Sequence, residues 1–190
     1  FLTSWIGSFS RPVKGLIIVA LGYSAVYALT GLTPPLEGDS IGGYLILPRE
    51  YANGHAILEV DYARGFYFPQ NMELLGTLGF LLQGETLALT LVSFTMGLLS
   101  VTAIYALGRR YFGRDAGAVA AVVFYGMWSV AYINGTAKID LGWVFFELMG
   151  ILAFSRWYFC DRPRKSWILL AGIFLGAALG TKYTAAYTLF

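Results

Sequence analysis

The amino-acid sequence predicts an all-α protein: a polytopic transmembrane helix bundle with about five membrane spans and a long outer loop bearing short interfacial helices. Three observations lead there. Of 190 residues, 57% are hydrophobic and only 13% charged, and a mean hydropathy of +0.64 does not describe a water-soluble globule. The apolar residues fall in continuous runs, without the alternation of a barrel strand. Lys and Arg gather in alternate gaps between those runs, the pattern left when positive charge marks the cytoplasmic ends of spans.

A bilayer core about 30 Å thick needs roughly 20 mostly apolar helical residues. Gly15–Leu32, Thr86–Gly108, Ala116–Tyr132 and Leu141–Phe159 qualify, and a fifth run continues from Trp167 to the end of the chain, residues 167–190. The first has the basic flank of a signal peptide, but its apolar run is too long and no small-residue cleavage site precedes the loop; it reads as a retained anchor. The third is short, which predicts little tilt, with Ser129 and Asn134 drawn to the interface. On the fifth, Gly172, Gly176 and Gly180 recur every four residues and predict a face that a neighbouring helix approaches closely. Starting at Phe1 without an initiator Met and stopping at Phe190 inside an apolar run, residues 1–190 read as a single transmembrane domain cut from a longer protein.

Arg11 and Lys14 precede the first span, Arg109, Arg110 and Arg114 follow the second, and Arg156, Arg162, Arg164 and Lys165 surround the gap after the fourth, nine of the thirteen basic residues. The other side receives the loop 33–85, with Arg49, Arg64 and seven acids, and the turn 134–140 with Lys138 and Asp140. The N-terminus is therefore expected in the cytoplasm and the long loop outside. A net charge of +2 is too small and scattered for nucleic-acid binding. Cys160 cannot form an intrachain disulfide, and His55 alone cannot build a zinc or haem site, so metal chemistry would have to rest on carboxylates.

A loop of this length is more than a connection needs. Thr33, Pro34 and Pro35 end the first helix by withdrawing backbone donors. Ser40–Asn53 is predicted to form a short interfacial helix. Pro69 fits the first turn of another over Gln70–Leu82, too short to span. The rings of Tyr44, Tyr51, Tyr62, Phe66, Tyr67 and Phe68 are expected at headgroup depth, and Glu59 and Asp61 on the wet face of an extended piece. Asp39 lies just past the tandem prolines in a Gly38-Asp39-Ser40 turn. A carboxylate held there suits a general base or a cation ligand; the same position suits a helix N-cap, and the two roles can coexist. Glu37 is the spare carboxylate beside it.

Two further charges fall inside apolar runs. Glu147 shares a helix face with Asp140, about 10 Å deeper, and an acid so placed faces a cavity or a partner. Lys182 lies about 24 Å along the fifth run, level with Asp39 and Asp140. There it either holds a lipid phosphate or snorkels to the surface.

Read in order, Leu29-Thr30-Gly31-Leu32-Thr33-Pro34-Pro35 followed by Asp39 and Tyr44, Phe68-Pro69 with Glu73-Leu74-Leu75, Ile104-Tyr105-Ala106-Leu107-Gly108-Arg109-Arg110-Tyr111-Phe112-Gly113, Ile139-Asp140-Leu141, and Leu169-Leu170-Ala171-Gly172 leading to Gly180-Thr181-Lys182-Tyr183 form one pattern. This string resembles the amino-terminal part of the bacterial integral-membrane glycosyltransferases of the GT-C superfamily, related to protein mannosyltransferases and lipid A aminoarabinose transferases. The resemblance implies a multi-pass inner-membrane enzyme that takes a sugar from a polyprenyl-phosphate donor and delivers it to an acceptor on the outer face. It implies that Asp39 is the catalytic base or a metal-associated carboxylate, that Asp140 is a second acid of the same cavity, and that Lys182 lies near the donor phosphate. Tyr44 and Glu37 would be substrate contacts beside them. Either Lys182 or a divalent cation would hold the departing phosphate. Relatives often carry a His after the tyrosine matching Tyr44, whereas Leu45 stands here, so one acceptor or phosphate contact is missing. Two other classes stay open: a non-catalytic structural or accessory subunit of a larger membrane assembly, and a transporter using Glu147 as a proton-coupling acid.

Overall fold

Helices account for the regular structure of the described residues, with no strand among them; the computed structural model describes residues 9–83, 87–160, 162 and 164–189. Helix α1 (Arg11–Gly31) opens with Pro12 in its first turn, where a missing N–H costs nothing, and closes when Leu32 donates its N–H to Leu29 O just before the tandem prolines. Among its residues only Val13 and Gly31 are buried, so it borders the bundle rather than entering it. The loop that follows folds back onto the bundle. A π-helical turn (Ser40–Tyr44) leads into α2 (Ile46–Gly54), and a 3₁₀ turn (Arg64–Tyr67) precedes α3 (Asn71–Gln83).

Helices α4 (Leu87–Phe112) and α5 (Arg114–Gly126) form a tight hairpin. Gly113 turns the corner at φ 91°, a left-handed value that favours glycine. Gly108 and Gly117 let the two backbones touch: a Cβ on Gly117 would sit 2.5 Å from Arg109 N and 2.8 Å from Tyr105 O, and one on Gly108 2.7 Å from Gly117 Cα. Helix α6 (Trp128–Asn134) continues α5 at an angle of 68°, because Met127 takes an extended ψ of 131° that breaks the hydrogen-bond ladder. Helices α7 (Asp140–Tyr158) and α8 (Lys165–Leu179) form a second hairpin, closed where Gly150 meets Leu175, and a 3₁₀ segment (Tyr183–Leu189) ends the described chain.

By length and composition α1 and the segment Leu89–Phe112 of α4 suit a membrane crossing, and α5 with α6 can supply a third as a bent pair. Helix α7 carries Glu147 and Arg156 within its apolar run, and α8 has only 15 residues before Gly180. The predicted third span, residues 116–132, is thus not one straight helix. Asn134 is not interfacial either. It is fully buried and donates from Nδ2 to the Tyr125 hydroxyl at 2.9 Å, in space that Gly97 leaves open. The Gly172 and Gly176 positions meet no neighbour; close packing falls instead on Gly108, Gly117 and Gly150, and Gly180 meets the Asn71 side chain. Spacing alone could not reveal this, because the partner helix decides which small-residue face is covered. The start of the predicted second span at Thr86, and the acid Glu85, lie outside the described residues.

The loop's aromatic residues divide. Tyr62, Tyr67 and Phe68 are exposed, but Tyr51 is 2% exposed and donates to Gln70 Oε1 at 2.8 Å. Leu45, Leu47 and Met72 are buried with it. The predicted Ser40–Asn53 helix is therefore two pieces packed into the body rather than one laid along a surface. Glu59 and Asp61 are exposed, as expected, but of Leu58, Val60 and Tyr62 only Val60 is buried, so the stretch lacks a two-sided alternation.

Candidate active site at the loop end of the bundle

The first turn of α3 joins the loop to α7 and α8. Asn71 donates its backbone N–H to Gly180 O at 2.9 Å and its Nδ2 to Ala177 O at 3.0 Å, and Met72, fully buried, lies against Gly142. This clamp leaves a cavity of about 300 Å³ between the loop and the end of α8. Tyr44, Phe68, Glu73, Lys182, Tyr183 and Thr184 line it.

Lys182 Nζ donates to Asp140 Oδ1 at 2.6 Å and sits 5.4 Å from the centre of the Trp143 ring. The pair is about one-third and one-fifth exposed (33% and 21%), so solvent screens it only in part. Sequence order separated these groups; the turn after Leu179 brings them together.

A second ion pair lies beside the first. Lys138 Nζ is 3.5 Å from Glu37 Oε2 and 3.6 Å from Asp39 Oδ2. Burial pulls the Lys138 ammonium down, but Glu37, the Tyr132 phenol and Asp39 together hold it above the ordinary lysine value. Asp39 itself is 79% exposed and makes no capping hydrogen bond to the turn it precedes. The predicted cap is absent, since Asp39 has helical φ and ψ of −66° and −38°, not the extended backbone of a capping residue. Glu37 takes the local bond instead, accepting from Ser40 Oγ at 3.4 Å.

Tyr44 links the two pairs. Its phenol is pushed up to about 12, first by burial and then by the carboxylates of Asp140, Asp39 and Glu73. It stays protonated across any physiological pH and can donate a hydrogen bond into the cavity. Of the five residues singled out from sequence, then, Asp140 and Lys182 touch, Glu37 and Asp39 share Lys138, and Tyr44 lies within the field of both groups. Tyr44 and Lys182 line the cavity; Asp39 is on the exposed side of the cluster and does not.

Glu73 was not singled out, although the cost argument applied to Glu147 fits it as well: it is an acid inside the apolar helix α3. It is 3% exposed, and its Oε2 has no hydrogen-bond partner. Burial pushes its carboxyl up to about 7, with a small opposing effect from its own backbone N–H. Glu147 is not partnerless, for it accepts a hydrogen bond from Thr188 Oγ1. Among the described residues no three His, Cys, Asp or Glu side chains come together in a way that could hold a metal ion. The described residues therefore do not fit a bound divalent cation.

An all-helical chain with two or three helices of membrane-crossing character, and a paired-charge cluster over a cavity at one end, defines a multi-pass membrane protein with a polar site at its rim. The family model for dolichyl-phosphate-mannose-protein mannosyltransferase matches residues 72–190, more than half of the chain, and the chain belongs to that family of membrane glycosyltransferases. The match includes Glu73, Lys138, Asp140 and Lys182 and begins beyond Glu37, Asp39 and Tyr44. No curated protein and no solved structure matches the chain.

Proposed function

We propose that this chain is the part of a membrane glycosyltransferase that receives a polyprenyl-phosphate-linked sugar and passes it to an acceptor on the extracytoplasmic face. The observation that carries the reading is Lys182, a cation lining the cavity and held at its edge by Asp140, in a chain of this family. The bond between the sugar's anomeric carbon and the phosphate oxygen breaks as a bond to the acceptor oxygen forms. Lys182 turns from Asp140 to the departing phosphate, whose charge grows as the bond breaks. Asp39, solvent-exposed and adjacent, takes the proton of the acceptor hydroxyl. This reading takes the chain to have five spans, a cytoplasmic N-terminus and the loop 33–85 outside, with the site on the extracytoplasmic side; the alternation of Lys and Arg between the apolar runs supports that orientation.

The test is release of polyprenyl phosphate from labelled polyprenyl-phosphate-mannose by the intact protein. Asp39→Asn is expected to slow turnover by about 100-fold or more while the protein stays folded; undiminished turnover would remove Asp39 from the role of base. A second reading, a structural or accessory subunit, draws on the fact that Lys138 and Lys182 each already have a carboxylate partner. Wild-type protein that gives no turnover alone, but copurifies at fixed stoichiometry with membrane partners whose turnover is untouched by Asp39→Asn and Lys182→Met, would place it in that class.

A further inference from the structure

Two buried polar atoms without a hydrogen-bond partner, Glu73 Oε2 and Thr184 Oγ1, belong to side chains that line the same cavity. Buried polar atoms are seldom left unsatisfied, and each that is calls for an explanation. They come from distant parts of the sequence, the first turn of α3 and the 3₁₀ segment after α8, so one local distortion does not account for both. Glu73 is held firmly, because Asn71 and Met72 anchor its turn to α7 and α8.

The missing partner has a definable chemistry. A buried carboxyl accepts hydrogen bonds, donates one when protonated and opposes a nearby anion once ionised, while a threonine hydroxyl donates or accepts. Across the cavity Tyr44 offers a protonated phenol. Phe68 and Tyr183, edge to face with centroids 6.0 Å apart, supply an apolar wall. The volume of about 300 Å³ lies at the small end of ligand pockets. A compact neutral ring carrying several hydroxyls fits these groups; a second phosphate beside Glu73 does not. We infer that Glu73 and Thr184 form a subsite that recognises hydroxyl groups of the donor's sugar ring, with Lys182 at its edge taking the phosphate. The inference rests on the glycosyltransferase reading above and adds to it the groups that read the sugar.

The test compares two ligand types on the intact protein in detergent: bare polyprenyl phosphate, and a panel of polyprenyl-phosphate hexoses and pentoses. Trp143, beside Lys182, provides an intrinsic fluorescence readout. Glu73→Gln and Thr184→Val keep side-chain volume, and thermal unfolding checks that each folds; Glu73→Ala is the stronger variant where it also folds. Wild type is expected to bind one sugar-bearing ligand about tenfold or more tightly than bare polyprenyl phosphate, and each variant to lose most of that difference while holding bare polyprenyl phosphate within about twofold. Lys182→Met should weaken both ligand types. Unchanged sugar preference in Glu73→Gln and Thr184→Val would overturn the inference, as would a wild type that binds every glycosylated ligand no better than bare polyprenyl phosphate. A wild type that binds neither ligand type would overturn the glycosyltransferase reading itself.

Discussion

Glu73→Gln should remove a pH-dependent loss of stability. In the folded protein burial holds the Glu73 carboxyl near 7 against an ordinary value of 4.5. Between those values the folded state keeps a proton that the unfolded state has released, so stability falls as pH rises through the window and levels off above it. At 1.36 kcal/mol per pH unit the loss is about 3 kcal/mol. For a chain of 190 residues that corresponds to roughly 6–12 °C in Tm. The assay is thermal unfolding of wild type and Glu73→Gln in the same detergent between about pH 4 and about pH 9. Other titrating groups cancel in the difference, and any fixed cost of burying the amide shifts the whole curve without bending it. Wild type should lose ground to the variant as pH rises, with most of the change between about pH 5 and about pH 8. A difference flat across the range would mean that Glu73 is solvated or paired in the native state, and the account of its burial would be wrong.

Lys182→Met leaves Asp140 part-buried without its 2.6 Å partner. It should cost about 2–3 kcal/mol, between the values typical of exposed and fully buried pairs, and Asp140→Asn on top of it should cost little more. Additive losses in that four-protein cycle, measured by unfolding, would deny the pair. Gly117→Val drives a side chain into the backbone at Arg109 and Tyr105, so loss of more than about 3 kcal/mol, or of monodisperse protein altogether, is expected. Gly172→Val, which meets open space, should leave size-exclusion behaviour unchanged. Asn71→Ala removes the bond to Ala177 O and should lower stability by about 1–2 kcal/mol; an unchanged Tm would show that the α3 clamp does not depend on it.

Several features were legible without coordinates because they follow from local chemistry. Pro34 and Pro35 stop α1 wherever the chain goes, since neither supplies a backbone donor. Pro69 marks the approach to α3, which begins at Asn71, and the run from Leu87 to Phe112 is helical as its apolar length required. Glu147 and Lys182 stood out because charge inside an apolar run is costly, whereas Asp140, at the start of the fourth run, stood out only through the resemblance. Other readings failed for reasons sequence does not carry. Met127, directly after Gly126, bends the chain without a proline, and a lone glycine in an apolar run does not by itself announce a 68° break. Asn134 is buried because Gly97 and the Tyr125 hydroxyl make room and supply a bond. Asp39 has the residue type of a cap but a helical backbone.

Composition and periodicity alone determined that the chain is helical and membrane-embedded, because the cost of unpaired backbone groups in hydrocarbon acts on every apolar run independently of its neighbours. Which polar groups meet was decided only by tertiary structure. The ion pair of Asp140 with Lys182, the pairing of Lys138 with both Glu37 and Asp39, and the orphaned Glu73 and Thr184 at one cavity each depend on the crossing of elements far apart in sequence. Contact energies fall off within a few ångströms, so a residue's partner is set by where helices pack, and that packing is settled by Gly108, Gly117, Gly142 and Gly150 together with the groups that fill the space they leave.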